Sequence, residues 1–193
     1  EEEEKEEEEE KEEKEKEKES SVPEKEVKDE VKDEETFLRK GSNYLLEGEE
    51  IEHSYSIFSQ YFSKQKRALV VTTTAPNKIG KEFGVEVSRE NLIWLSNIES
   101  DVFQVISPSD IPDELTPEIE DFVENNDEGV IFIDKLERVK VEKGFENTLK
   151  FLKKVWETTA SPEFTLLVHV DPGAFSEDEL KRMKEELRLY QVA

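Results

Sequence analysis

Cysteine is absent from the chain, which removes disulfide bonds, Cys-ligated zinc and thiol catalysis from consideration. Positive charge is scarce as well: 27 Lys and Arg stand against 51 Asp and Glu, a net charge of −24 at pH 7. Nucleic acid and anionic membrane surfaces both require a positive footprint, so neither is an expected partner. No stretch approaches the ~18 apolar residues that span a bilayer, and no signal peptide is visible. The chain contains no G-x-x-x-x-G-K-[ST] loop, the element whose backbone N–H groups and lysine cradle nucleotide phosphates. It also has no G-x-S-x-G elbow to present a serine nucleophile, which argues against an α/β-hydrolase. Its two histidines, His53 and His169, lack a second His at ligand spacing, so His169, within an apolar run, reads as a structural histidine.

What is present divides sharply by position. Residues 1–36 hold 21 Asp or Glu against 8 Lys, and Glu1 to Glu19 is written in Glu and Lys alone. Pairs at i,i+4 such as Glu1 and Lys5 or Glu7 and Lys11 support a helix by about 0.2 to 0.5 kcal/mol each. Without an apolar stripe that helix has nothing to pack with, so 1–36 is expected to be a charged, partly helical, low-complexity tail or linker. The chain starts at Glu1 rather than Met. We therefore expect a cytoplasmic protein whose membrane contact, if any, comes through a preceding segment, with 1–36 then a spacer of up to roughly 54 Å. The Glu and Lys enrichment, with one Met and no Cys, fits a hyperthermophile.

Residues 37–193 form a single domain of ordinary size and alternate two periodicities. Ser42–Leu46, Ala68–Thr73, Asn91–Ser96, Val130–Asp134 and Phe164–Val170 are short apolar or β-branched runs that predict strands, and 102–106 reads as extended. Between them Ile51, Tyr55, Phe58 and Phe62 recur at helical spacing, as do Phe145, Leu149, Leu152 and Trp156. Pro76 suits a first helical turn and Gly84 its stop, and Thr116 before Pro117 predicts an N-cap. Ser176 with Glu179 predicts a capping box, with Phe175 placed to staple Leu180. The alternation predicts a three-layer α/β fold around a mainly parallel, five-stranded sheet.

GSNYLLEG at Gly41 to Gly48, NLIWLS at Asn91 to Ser96, SPSDI at Ser107 to Ile111, GVIFIDKLERV at Gly129 to Val139 with Gly144 and Phe145, and VDPGAFSEDEL at Val170 to Leu180 form a set of segments. Together they are similar to the archaeal domain-of-unknown-function family 835. The resemblance spans residues 38–190. The order of parts also resembles the RecA and KaiC group of ATPases. That likeness implies a phosphate loop after the first strand and a metal-orienting acid at Asp134. Where the loop should lie the chain reads LEGEEIEHSY, Leu46 to Tyr55, with one Gly, no Lys and four Glu that would repel a triphosphate. A RecA-like domain that has lost its phosphate loop is therefore expected, with no catalytic residues and no cofactor.

Open α/β sheets bind ligands at the carboxyl ends of their strands. Asp134, Ser96, Thr73, Thr74 and Asp171 are the residues expected along that edge, and Glu137 could join Asp134 around Mg²⁺ through hard carboxylate oxygens. Two acids alone specify no metal site. A phosphoacceptor receiver fails because the third strand ends Trp94, Leu95, Ser96 and the fifth ends His169, Val170, Asp171, leaving no acceptor Asp and no Lys where those are needed. The leading expectation is a non-catalytic interaction or signalling adaptor, monomeric or dimeric, with a protein partner such as a KaiC-like ATPase or a sensory protein. The alternative is a nucleotide sensor or Mg-dependent enzyme working at the Asp134 edge, with Lys78 and Lys81 its nearest cations.

Overall fold

A computed structural model describes residues 38–62, 67–187 and 190–192, and the tail at 1–36 lies outside them. Among the described residues seven strands and six helices alternate. The strands are β1 (Asn43–Glu47), β2 (Ala68–Thr72), β3 (Leu92–Leu95), β4 (Gln104–Ile106), β5 (Gly129–Ile133), β6 (Phe164–Val170) and β7 (Tyr190–Val192). The helices are α1 (Ile51–Phe62), α2 (Pro76–Phe83), α3 (Leu115–Glu124), α4 (Glu137–Lys143), α5 (Phe145–Thr158) and α6 (Glu177–Leu187). Every strand pair is parallel, in the order β4-β3-β2-β5-β6-β1-β7.

The sheet is buried on both faces, and alternate strand residues feed two separate cores. Val70, Val130, Phe132 and Leu167 pack with Tyr55 and Phe58 of α1 and Ile79 of α2. Leu69, Ile131, Ile133 and Val168 face the other way, toward α3, α4, α5 and α6 through Ile119, Val139, Leu152 and Met183. Three layers result, as expected from the sequence.

Local signals hold at most element ends. Gly84 closes α2 in the left-handed region at φ 66°. Ser176 and Glu179 make both halves of the capping box, at 3.2 and 2.8 Å. Phe175 and Leu180 join the same core.

Three features differ from the reading above. The sheet has seven strands rather than five: β4 falls within the stretch 102–106 read as extended, while β7, an edge strand of three residues, is too short to show a period. Helix α4 occupies ERVKVEK, where charged residues interrupt the apolar stripe. Thr116 lies inside α3 rather than capping it. The chain before it already turns, with Glu114 N–H bonded to Asp110 O and Thr116 N–H to Pro112 O, so the helix begins at Leu115 and Pro117 falls in its first turn, where a missing N–H costs nothing.

Candidate functional site

Only Gly48, Glu49 and Glu50 separate β1 from α1. The Gly48 N–H stays in register with the sheet, bonding Val170 O at 3.1 Å, so the chain passes directly from strand to helix. Glu49, Glu50 and Glu52 are exposed there, and Glu47 pairs with Lys184 at 2.6 Å. This turn is far shorter than an eight-residue phosphate loop and presents carboxylates rather than a lysine.

Asp134 follows the last residue of β5, its N–H bonded to Val71 O of β2 at 3.0 Å, and its side chain is buried on the α1 face. Oδ1 accepts from the Thr73 backbone N–H at 2.9 Å, and Oδ2 accepts from the Tyr55 hydroxyl at 3.0 Å and from the Thr72 hydroxyl. Tyr55 OH also lies 3.0 Å from Thr72 Oγ1, which accepts from the Thr74 N–H at 2.9 Å. The Tyr55 ring is fixed by stacking on Phe83, with centroids 4.1 Å apart, and by an edge contact to Phe132. Burial pushes the Asp134 carboxyl up to about 6, against the donors of Thr72, Thr73 and Tyr55, which favour the anion. Burial also raises the Tyr55 phenol, with the Asp134 charge acting in the same direction, so Tyr55 is a donor at neutral pH. Three donors thus occupy most of the roughly four acceptor positions of one carboxylate.

Of the other edge residues, Thr73 and Thr74 reach the Asp134 network through their backbone N–H groups, whereas Glu137, Asp171 and Ser96 do not. The backbone turns through the left-handed region at Lys135, φ 51°, and carries Glu137 to the start of α4, on the opposite side of the sheet. Burial raises the Glu137 carboxyl, opposed by its own N–H, by Lys135 and by the Asp171 N–H. Glu137 therefore sits toward the end of β6 while Asp134 is held from β2 and α1. Asp171 accepts from Gly173 N–H at 2.8 Å and shapes the turn after β6. Ser96 accepts from Ile98 N–H at 3.0 Å and caps the turn after β3. Thr73 contributes backbone, its carbonyl accepting from Trp94 Nε1 at 3.3 Å, and Thr74 contributes its N–H. Lys78 pairs with Glu82 at 3.8 Å on the exposed face of α2.

Sequence reasoning missed Tyr55 and Thr72, which read as core and strand positions. A tyrosine on a buried helical stripe needs a partner for its hydroxyl, and that need was the available signal. His169 is buried with Ser54, Nδ1 to Oγ 2.8 Å, while His53 is exposed. Burial holds His169 down at about 4, with Lys135 adding to the effect and Asp171 and Glu52 opposing it, so it is neutral at pH 7.

A model for proteins of unknown function, DUF835, matches residues 48–187. The chain belongs to the DUF835 family. Among curated proteins none matches this DUF835 chain. Solved structures of similar fold include a KaiC-like protein. A KaiC-like protein from Pyrococcus horikoshii, PH0186, is 16% identical, with a TM-score of 0.54 over 77% of this chain and 70% of its own. The uncharacterised P. horikoshii protein PH0321, solved in complex with an unknown peptide, is 14% identical, with a TM-score of 0.53 over 77% of this chain and 75% of its own. PH0250 of the same organism is 16% identical, with a TM-score of 0.52 over 81% and 84%. No helix among the described residues is long and apolar enough to cross a membrane.

Proposed function

We propose that this DUF835 domain is a non-catalytic RecA/KaiC-like module that works by binding another protein, as an adaptor in a regulatory or signalling assembly. The observation that carries this reading is the three-residue β1–α1 turn. It leaves no backbone cradle for phosphates, and Glu49, Glu50 and Glu52 would repel a triphosphate. Asp134 adds support, because the acid that would orient a metal is engaged by Thr72, Thr73 and Tyr55 within the protein. The peptide bound by PH0321 lends the same reading a precedent on a similar fold. An intact KaiC-like ATPase or a sensory protein is the kind of partner such a module would regulate.

The test uses the full chain in two assays. Calorimetry with ATP or GTP and Mg²⁺ is expected to be flat and phosphate release absent, while the immobilised chain retains a stoichiometric partner from host lysate. Turnover of ATP that disappears in Asp134→Ala would falsify the proposal and favour an enzyme at the Asp134 edge.

A further inference from the structure

The chain carries −24 overall, yet Glu137 to Thr158, covering α4 and α5, holds six basic against four acidic residues. Part of this surplus lines a groove of about 360 Å³ on the α3 side of α5. Lys143, Asn147, Lys150 and Lys154 line the groove together with Asp113 and Thr116, and the buried Phe151 contributes its apolar surface; three lysines thus face the single carboxylate of Asp113. Asn147, Lys150 and Lys154 share one face of α5, at i, i+3 and i+7, and Lys143 ends α4 just before the break at Gly144.

Neighbouring cations are already neutralised: Lys140 pairs with Glu179 at 2.6 Å and Arg182 with Glu146 at 2.5 Å. Lys143 and Lys150 have no ion pair among the described residues. Lys154 shows what the groove accepts, since Glu120 of α3 places a carboxylate oxygen 2.7 Å from its Nζ. Along α5 the face from Asn147 to Lys154 advances about 5.4 Å per helical turn. An extended peptide repeats one face every ~6.6 Å, close enough for long lysine stems to follow.

We propose that this groove docks an extended acidic segment of a partner protein, with Asp or Glu carboxylates seated on Lys143 and Lys150 and, where they displace Glu120, on Lys154. The inference rests on the protein-binding function above and names the chemistry of the partner. Asn147 and Thr116 supply neutral polar contacts along the groove, and Phe151 excludes water beneath them.

The probe is a fluorescent peptide of about ten residues, roughly 33 Å extended, alternating Glu with Thr, and its counterpart with Gln for Glu. Against the full chain the Glu peptide is expected to bind saturably and to weaken as salt screens the charges. Lys143→Glu with Lys150→Glu is expected to weaken it about tenfold or more, and the same positions as Gln by less. Lys181→Glu, on exposed α6, should leave binding unchanged. Equal binding of the Gln peptide, indifference to the double variant, or inorganic phosphate binding at these lysines without any peptide binding would overturn the proposal. A lysate partner retained equally by wild type and double variant overturns the groove and leaves the adaptor function standing. Peptide binding together with ATP turnover removes the adaptor function and keeps the groove.

Discussion

Burial and hydrogen bonding act on Asp134 in opposite directions, and burial wins. A carboxyl raised from 3.8 to about 6 is ionised at pH 7 at a cost on the order of 3 kcal/mol relative to the unfolded chain. Asp134→Asn removes that cost. It keeps an oxygen for the Thr73 N–H, and the Thr72 hydroxyl can turn to accept from the new amide. Asp134→Ala instead strands the buried Thr72 and Tyr55 hydroxyls and the Thr73 N–H. Urea unfolding at pH 7 should therefore find the Asn variant at least as stable as wild type and the Ala variant weaker by about 3 kcal/mol. Equal losses in both would mean that the anion itself holds the network together. The importance of Asp134 was legible in GVIFID, because an apolar run ending in an acid is a residue-level pattern. Its partners were not, since Thr72 and Tyr55 lie 62 and 79 positions away in sequence.

Adjacent strands carry titrating groups of opposite sense. Asp134, after β5, favours its proton in the folded state, so its contribution to stability is lost as pH rises from about 4 to about 6. His169, in β6, resists protonation in the folded state, so its contribution is lost as pH falls from 6.5 to about 4. The slopes oppose each other in the shared window, and single variants should separate them. Relative to His169→Gln, wild type should weaken toward pH 4; relative to Asp134→Asn, it should weaken toward pH 6. Melting temperatures across pH 4 to 7 would show it, and parallel curves would sink the argument. Among the connections, Gly41 leads into β1 at φ 74°, where a Cβ would meet Pro162 Cα and O at 2.6 Å. Both obstacles are backbone, so Gly41→Ala should cost about 2 kcal/mol or more, read as a loss of several degrees in thermal melting. Neither constraint could be seen in sequence, because the close approach of 41 to 162 exists only once β1 pairs with β6. The five long strands were legible because both sheet faces are buried and each is a continuous apolar run. Helix α4 was hidden because only Val139 in it is buried.

At the scale of the whole molecule, charge is the dominant unpaired quantity. The net −24 divides into −13 for residues 1–36 and −11 for the remainder, so each part repels itself. The folded part offsets little of this through surface ion pairs. Lys78 with Glu82 and Lys181 with Glu185 are exposed and separated by 3.8 and 3.9 Å, a class worth about 0 to 1 kcal/mol each. Added salt weakens such pairs slightly. It also shortens the Debye length from about 30 Å at 0.01 M to about 8 Å at 0.15 M, which suppresses the long-range repulsion. Repulsion is summed over many like charges, whereas each surface pair contributes at most about 1 kcal/mol, so the first effect is the smaller. The melting temperature should therefore rise by a few degrees between 0.01 and 0.5 M NaCl, about 2–4 °C for each kcal/mol of relieved repulsion. A fall over that range would mean that local pairs, such as Lys40 held between Glu128 and Glu163, outweigh the net charge.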